Sequence, residues 1–161
     1  MNQPRRREVE RFIHVDSRDF PDLYESKYEI LFGSNIPIQD YNNVIKLELK
    51  TFMSSKPKDA DYVFFKIKNI DGKVDSTSTL VDSATVCYFE SQLTDKKPIY
   101  FGGNTFEFNP PIAKLSKLNI DILKRNADSA YVPMTIGTND SNDTDYQSFL
   151  LKITYIEGNL Y

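Results

Sequence analysis

The residues of this chain that could perform acid–base or nucleophilic chemistry are few. His14 is the only histidine and Cys87 the only cysteine among 161 residues. Nucleophilic catalysis by serine or cysteine usually needs a neighbouring base, most often histidine, and a structural zinc ion needs four ligands of these types. His14 is expected on the outward side of a strand, and Cys87 is expected to be a small core residue. The sequence therefore predicts neither a catalytic site nor a zinc site, and we expect no enzyme activity.

One acidic segment, residues 139–145, could suggest calcium because Asp140, Asp143 and Asp145 lie close together in the sequence. An EF-hand loop needs a central glycine and a distal bidentate glutamate, and this segment has neither. Runs of Asn, Asp and Ser are typical of hydrated turns. We interpret the segment as a hydrated loop and predict that the protein uses no metal ion and no other cofactor.

A basic cluster lies near the beginning of the sequence, with two glutamates among its members. It consists of Arg5, Arg6, Arg7 and Arg11. The whole chain carries 20 basic and 23 acidic residues, a formal charge of -3, which argues against nucleic acid as a partner. Residues 1–11 show no apolar periodicity and are predicted to form a basic arm. The arm is expected either as a solvated tail or as a contact to a neighbouring subunit.

Beyond residue 11, apolar residues recur with a period of two in eight short runs, which predicts β-strands. The clearest run alternates Ile45, Leu47 and Leu49 with charged residues. The eight runs are 13–15, 28–32, 45–49, 63–67, 85–89, 106–108, 118–122 and 149–155. Pro110 and Pro111 are expected to end their strand or to confine it to the edge of a sheet. The eleven Phe and ten Tyr suit strands better than helices.

Turn signals such as Asp71-Gly72 and Gly102-Gly103 separate the predicted strands. Regularly spaced antiparallel strands predict an all-β sandwich or barrel, and eight strands favour a jelly-roll. No repeat or linker divides the chain, so we expect the arm over 1–11 and a single jelly-roll domain over 12–161. No apolar run approaches the length of a membrane span, and no signal-peptide pattern is visible. With a lone cysteine, synthesis in a reducing compartment is expected.

Three segments carry a more specific pattern. Residues 12–19 read Phe-Ile-His-Val-Asp-Ser-Arg-Asp, a hydrophobic strand that runs into a polar turn. Residues 106–111 read Phe-Glu-Phe-Asn-Pro-Pro and are followed at 118–123 by Leu-Asn-Ile-Asp-Ile-Leu. The closing run 148–153 reads Ser-Phe-Leu-Leu-Lys-Ile. Together these segments resemble the short structural proteins of nucleocytoplasmic large DNA viruses, and the matches are spread over residues 12–157.

The resemblance implies a structural capsid protein with a single jelly-roll. Such proteins are typically the penton base, of which five copies close each icosahedral vertex. It implies partners in the protein itself and in neighbouring major and minor capsid proteins, with assembly in the host cytoplasm and a final place in the virion capsid. It implies no catalytic residues and no small-molecule substrate. The alternatives are a minor capsid protein that cements the major capsomers from beneath and a jelly-roll module that attaches to a host.

Subunit contacts in such an assembly need apolar and aromatic side chains beyond those of the core. We expect them at the basic arm and at tyrosines in loop or strand positions whose facing the sequence leaves open. These are Tyr41, Tyr62, Tyr88 and Tyr131. The same tyrosines could instead complete the faces of their own sheets.

Overall fold

The structure is a computed structural model. It describes residues 6–20, 23–37, 40–54, 57, 60–70, 74–75, 77, 82–89, 97–99, 105–126, 128, 130–136 and 146–157. Within these ranges the chain is all-β apart from the 3-10 turn Ser17–Asp19. The strands are β1 Arg7–Asp16, β2 Lys27–Leu31, β3 Tyr41–Ser54, β4 Tyr62–Ile67, β5 Val74–Asp75, β6 Asp82–Ser83, β7 Thr85–Tyr88, β8 Lys97–Ile99, β9 Thr105–Leu115, β10 Lys117–Arg125, β11 Tyr131–Pro133 and β12 Gln147–Glu157.

All eight predicted runs overlap strands of the structure, namely β1, β2, β3, β4, β7, β9, β10 and β12. The prediction of an all-β, antiparallel sandwich is therefore confirmed. The count of eight is too low, because the described residues also contain β5, β6, β8 and β11. Each of these four strands has only two or three residues. Such strands are too short to show a period of two in the sequence.

The start of the first strand also differs from the predicted run. β1 begins at Arg7, within the stretch that the sequence predicts as a basic arm. Arg7 lies opposite Glu157 and Arg11 lies opposite Ile153, in an unbroken antiparallel register with β12. Among the described residues β1 pairs only with β12. An edge strand tolerates charged side chains because much of its surface stays in water, so the polar composition of this stretch concealed a strand.

Two five-stranded antiparallel sheets form the sandwich. In the first sheet β12 lies between β1 and β3, and the far side of β3 pairs with β9 and, at its end, with β8. In the second sheet β10 pairs with β4 on one side and with β2 and β11 on the other. The remaining edge of β4 pairs with β7. A separate two-stranded ribbon joins β5 and β6.

The hydrophobic core lies between the two sheets. Phe65 of β4 meets Phe52 of β3 and Phe149 of β12 edge-on, with ring centroids 6.2 and 5.2 Å apart. Burial of each large apolar side chain contributes about 1.5–3 kcal/mol to folding, so these contacts hold the sheets together. The largest fully buried side chains are Tyr28, Phe52, Phe65, Phe149, Ile30, Leu47, Leu118, Ile120, Ile122, Met134, Leu151 and Ile153.

Candidate interaction surface

The outward face of the second sheet is rich in aromatic side chains. In β4 the side chains of Val63 and Phe65 are fully buried in the core, so the alternation of a strand turns Tyr62 and Phe64 outward. The strand pairing identifies their neighbours on the same face of the sheet. Tyr131 joins them through the contact of its ring with Phe64. We call this surface the aromatic face; it consists of Tyr62, Phe64, Val86, Tyr88, Leu123, Tyr131 and Pro133.

The rings of the aromatic face contact one another in sequence across the sheet. The centroid of Tyr62 lies 6.0 Å from that of Tyr88 and 5.7 Å from that of Phe64. Phe64 in turn lies 4.8 Å from Tyr131, which reaches over β10 from the strand beyond it. Tilted and edge-on arrangements at such distances are favourable for aromatic pairs. The four rings therefore form one continuous cluster that spans the strands β7, β4 and β11.

Exposure differs sharply within this cluster. Phe64 is only 5% exposed although it points away from the core, because Tyr62 and Tyr131 lie against its ring. Tyr88, at the edge strand β7, is 63% exposed. The cluster therefore has an already desolvated centre and an open rim. Desolvated aromatic centres of this kind are typical of the energetically dominant part of protein interfaces.

The hydroxyl groups of Tyr62 and Tyr131 lie 3.4 Å apart, within hydrogen-bonding distance. This hydrogen bond raises the pKa of Tyr62, and partial burial raises it further, while Arg125 acts in the opposite direction. Tyr62 is therefore neutral at physiological pH. The guanidinium of Arg125 hydrogen-bonds the hydroxyl of Tyr62 and places a positive charge beside it.

The outward face of the first sheet has a different chemistry. Lys152 lies between the buried residues Leu151 and Ile153 and so points outward. Its ammonium lies 2.9 Å from a carboxylate oxygen of Glu10 and 3.6 Å from one of Glu48. Alternation places further charged residues on the same surface. We call it the charged face; its charged members are Glu8, Glu10, Lys46, Glu48, Lys50, Glu107 and Lys152, and Phe12 and His14 lie beside them on β1.

Mutual interactions set the ionisation of the charged face. The hydrogen bond to Glu10 raises the pKa of Lys152. Partial burial pushes the pKa of Glu48 upward, but Lys50 and Lys152 outweigh this effect and hold it below its ordinary value. Lys152 and Glu48 are therefore both charged at neutral pH. Phe12 is 56% exposed among them and is the large apolar side chain on this face that stands most fully in water within the described ranges.

The structure brings together three of the four tyrosines that the sequence suggested. Tyr62, Tyr88 and Tyr131 all belong to the aromatic face. Tyr41 does not, since it is only 4% exposed and its ring packs edge-on against Phe32 at 5.5 Å. Burial raises the pKa of Tyr41. Its role is to close the end of the core, and little of its surface is left for a subunit contact.

The four arginines of the predicted arm have different surroundings. Arg5 lies outside the described residues. Arg6 is exposed directly before β1, and Arg7 and Arg11 are exposed within that strand. A hydrogen bond to Tyr155 raises the pKa of the Arg11 guanidinium. Arg7 and Arg11 are therefore held at the edge of the first sheet, on the opposite layer of the sandwich from the tyrosine cluster.

Sequence reasoning missed Phe64, which is the centre of the aromatic face. The signal was present, because Phe64 lies between Val63 and Phe65 and only one of the two alternating sets can face the core. Leu123 was missed for the same reason, as it follows the buried residue Ile122. An aromatic residue at an outward position of a strand, where alternation predicts a polar residue, indicates a surface that contacts something else.

The polar turn in the segment 12–19 serves the fold. Asp16 accepts hydrogen bonds from the backbone N–H of Arg18 at 2.9 Å and from its guanidinium at 2.6 and 2.9 Å. The next residue, Ser17, is buried, and its hydroxyl accepts the backbone N–H of Gln147 at 2.8 Å. The guanidinium of Arg18 also lies 4.5 Å from the ring centroid of Tyr146. The turn thus ties the end of β1 to the beginning of β12.

The two residues singled out for chemistry are accounted for in the fold. His14 is exposed on β1, opposite Leu150. Cys87 is fully buried, and burial raises the pKa of its thiol well above the ordinary range, which keeps the reactive thiolate form from populating. In the part of the chain that the structure describes, no group of three or more metal-binding side chains comes together. The acidic segment 139–145 lies outside that part.

No helix among the described residues is long and apolar enough to cross a membrane. Comparison of the chain with protein-family models and with curated proteins gives no match.

Proposed function

We propose that this protein is a structural capsid protein built on a single jelly-roll, and that it is the penton base that closes the five-fold vertices of an icosahedral large DNA virus. The observation that carries the proposal is the aromatic face, an apolar surface on the outside of a sheet whose rim one chain alone leaves in contact with water. Contiguous apolar patches of this kind mark sites where proteins associate. A protein with such an aromatic surface on the outside of one sheet is suited to assembly.

The order of strand pairing supports the jelly-roll. When the four short strands are set aside, eight remain, and the first pairs with the last, β1 with β12. The second pairs with the seventh, β2 with β10, and the third pairs with the sixth, β3 with β9. The fourth and fifth, β4 and β7, pair with each other. This is the order obtained when one long antiparallel ribbon is rolled into two sheets, as in the jelly-rolls of viral capsid domains.

The positions of the recognised segments agree with this arrangement. Residues 12–19 form the end of β1 and the turn that follows, and residues 106–123 form most of β9 and β10. Each segment therefore occupies a strand and its connection, which is where a family of jelly-rolls would share sequence. Fold alone does not determine function, so the capsid role rests on the resemblance together with the aromatic face.

In this proposal the protein acts without a cofactor, substrate or catalytic residue. It is made in the host cytoplasm and becomes part of the virion capsid, where its partners are further copies of itself and the neighbouring major and minor capsid proteins. The side chains that bind these partners include Tyr62, Tyr88 and Tyr131, joined by Phe64. The exposed arginines at the start of β1 contribute a second, basic contact region.

The first test is the mass of the purified protein in solution, measured by light scattering over a range of concentrations. We expect a species of five times the 18.6 kDa of one chain. Tyr88→Ser should lower the fraction in that species, because it removes the most exposed ring of the aromatic face. Tyr24→Ser is the matched control, since Tyr24 is 73% exposed but lies outside the aromatic face. An equal effect of both substitutions would contradict the assignment of the surface.

The second test is the position of the chain in virus particles, determined by electron microscopy. Density for five copies at each vertex is expected for the penton base. Density only beneath the facets would replace this role with that of a minor capsid protein. Absence of the chain from the particle would overturn the capsid role. Attachment to a host would then be the remaining alternative, and binding to a glycan array measures it directly.

A further inference from the structure

We propose that Tyr62 and Tyr131 form an oxidation site, at which a one-electron oxidant joins the two side chains into dityrosine. Their hydroxyl oxygens lie 3.4 Å apart, although the two residues are separated by 69 positions in the sequence. The product is a covalent link between β4 and β11 within one chain. This inference does not depend on the proposed capsid role, because it rests on a contact inside a single chain.

The first argument is which ends of the two rings meet. Loss of an electron and a proton from a tyrosine leaves a phenoxyl radical, whose unpaired electron is shared between the oxygen and the ring carbons ortho and para to it. The para carbon carries the rest of the side chain, so two such radicals join through ortho carbons. These carbons are two bonds from the hydroxyl oxygen. A contact between the hydroxyls of Tyr62 and Tyr131 therefore brings the reacting carbons close together.

The second argument is that neighbouring side chains hold the two rings before any reaction. The ring centroid of Phe64 lies 5.7 Å from that of Tyr62 and 4.8 Å from that of Tyr131. Phe64 is only 5% exposed, so it forms a packed support beneath both tyrosines. The guanidinium of Arg125 hydrogen-bonds the hydroxyl of Tyr62. Groups positioned in this way react far faster than the same groups moving freely.

The third argument is a route by which an oxidant reaches the pair. Tyr62 and Tyr131 are half-buried, whereas Tyr88 is 63% exposed and its ring centroid lies 6.0 Å from that of Tyr62. A radical formed on Tyr88 can take an electron from Tyr62, because the two groups are chemically alike. Coupling to Tyr131 then makes the transfer irreversible. Tyr88 therefore serves as the entry point for oxidation of the pair.

Other tyrosines are less suited to the reaction. The rings of Tyr41 and Tyr155 lie 5.4 Å apart, but Tyr41 is only 4% exposed and so is shielded from an oxidant in water. Tyr24 is 73% exposed and lies outside the aromatic face. Selection by exposure alone would favour Tyr24, whereas selection by contact favours the pair of half-buried tyrosines. The two rules give different products.

The reaction balances with hydrogen peroxide as the oxidant and a haem peroxidase as the enzyme that removes electrons one at a time. Each phenol loses one electron and its hydroxyl proton, and a carbon–carbon bond forms between the two ortho carbons. The hydrogen on each of these carbons then moves to the oxygen of its own ring, which restores both aromatic rings and both hydroxyls. The two electrons and two protons that were released reduce one peroxide to two water molecules. The chain becomes lighter by two hydrogen atoms.

The link would fasten a short strand to the sheet. β11 has three residues and pairs with β10 alone among the described strands. A bond from Tyr131 to Tyr62 passes over β10 and ties β11 to β4. A covalent link between positions far apart in the sequence stabilises a protein mainly by restricting its unfolded chain. We therefore expect the oxidised chain to unfold at a higher urea concentration than the untreated chain.

The test treats the full-length chain with hydrogen peroxide and a haem peroxidase and digests the product with trypsin. We expect a product of single-chain size on a denaturing gel, in which mass spectrometry finds the peptides 59–66 and 126–152 joined. Tyr131→Phe should abolish the joined product, which separates Tyr131 from Tyr146 in the same peptide. Formation of the link can be followed by the fluorescence of dityrosine, which lies at longer wavelength than that of tyrosine.

Tyr62→Phe should also abolish the product, and Tyr24→Phe is the matched control that should leave its yield unchanged. Phenylalanine keeps each ring in place, and urea unfolding verifies that each variant is folded. Tyr88→Phe should slow the reaction several-fold without changing the product, and an unchanged rate would overturn the route through Tyr88. Absence of the joined peptides, links only between chains, or an undiminished yield in Tyr62→Phe would each overturn the proposed site.

Discussion

Gln147 is a fully buried polar residue on which several parts of the fold converge. Its side-chain carbonyl accepts the hydroxyl of Ser26 at 2.9 Å and that of Tyr28 at 2.7 Å. Its amide donates to the sulfur of Met134 at 3.4 Å, and its backbone N–H donates to Ser17. Within the described residues no buried side-chain nitrogen or oxygen lacks a partner, so this network is fully satisfied. Satisfied buried networks specify a unique packing.

Replacement of the Gln147 side chain by one without a carbonyl should destabilise the protein strongly. Gln147→Leu leaves the hydroxyls of Ser26 and Tyr28 without their acceptor, at about 1–3 kcal/mol each. We therefore expect the free energy of unfolding in urea to fall by about 2–4 kcal/mol. Tyr28→Phe should cost less in the Gln147→Leu background than in the wild type, since its hydroxyl has already lost its partner. Additive costs in this double-mutant cycle would show that the two groups do not interact.

The Asp16 carboxylate predicts a specific pH dependence. Its hydrogen bond with Arg18 lowers the pKa of Asp16, against the opposing effect of partial burial. A lowered pKa in the folded state stabilises the protein above the unfolded-state value of about 3.9 and is lost as the pH falls through the folded-state value. Asp16→Asn keeps a side-chain oxygen as a cap but removes the charge, so it should be less stable than wild type at pH 7.

The difference in stability between wild type and Asp16→Asn should shrink below pH 4 and vanish once Asp16 is protonated. Urea unfolding at a series of pH values measures it. The effect is modest, because Arg18 is exposed and solvent screens the pair. Asp16→Ala also removes the cap and should cost about 1 kcal/mol more. A difference that stays constant with pH would mean that the charge of Asp16 does not contribute.

At the scale of single residues, the sequence gives the identity of the aromatic side chains but predicts only in part which way they point. Tyr62 and Tyr88 alternate with Val63 and Cys87, so their outward facing could have been read from the pattern. The contact of Tyr131 with Phe64 could not, because it passes over β10 from a three-residue strand. The burial of Tyr41 depends on the packing of Phe32, which no local pattern contains.

The strands themselves were predictable except where an irregularity shifts the alternation. Alternation placed Ile45 in the core together with Leu47 and Leu49. In the structure Val44 is fully buried and Ile45 only half-buried, because the register of β3 shifts between Val44 and Lys46. One extra residue reverses the facing of every residue on one side of it. The position of such a shift depends on the partner strand, so the sequence of β3 alone could not locate it.

The two prolines of β9 lie where one of the two sequence-based alternatives placed them. β9 continues from Thr105 to Leu115 through Pro110 and Pro111. It pairs with β3 alone among the described strands, so it is an edge strand. The expectation that the prolines would either end the strand or confine it to an edge is met by its second alternative. Residues without a backbone N–H can be accommodated where no further strand has to be bound.

Deletion variants test, at the scale of the element, whether the first residues of β1 contribute to the fold. Removal of residues 1–6 should leave the free energy of unfolding nearly unchanged, because β1 begins at Arg7. Removal of residues 1–11 also removes five register positions opposite β12 and should cost about 2 kcal/mol or more. Urea unfolding of the two variants provides the comparison. Equal stabilities would mean that residues 7–11 add nothing to the stability of the domain, as expected for an arm that ends at residue 11.

The order in which the strands pair is the feature of the whole molecule that the sequence predicts least directly. A period of two predicts where strands lie and which side of each is apolar. The same period would be present whatever the order in which the strands paired. The contacts that define the order are distant in the chain, as Arg7 opposite Glu157 and Lys27 opposite Asp121 show. The period of two therefore could not predict the observed pairing order.

The tyrosine cluster has a consequence for how the molecule can be observed. The chain contains no tryptophan, so its ultraviolet emission and its near-ultraviolet circular dichroism come chiefly from tyrosine. Tyr62 and Tyr131 share a hydroxyl contact, and Tyr88 stands beside them with most of its ring in water. A neighbour that covers this surface changes the polarity and freedom of these rings directly. The protein thus carries its own optical label at the place where it is proposed to assemble, and subunit association can be followed without attaching a dye.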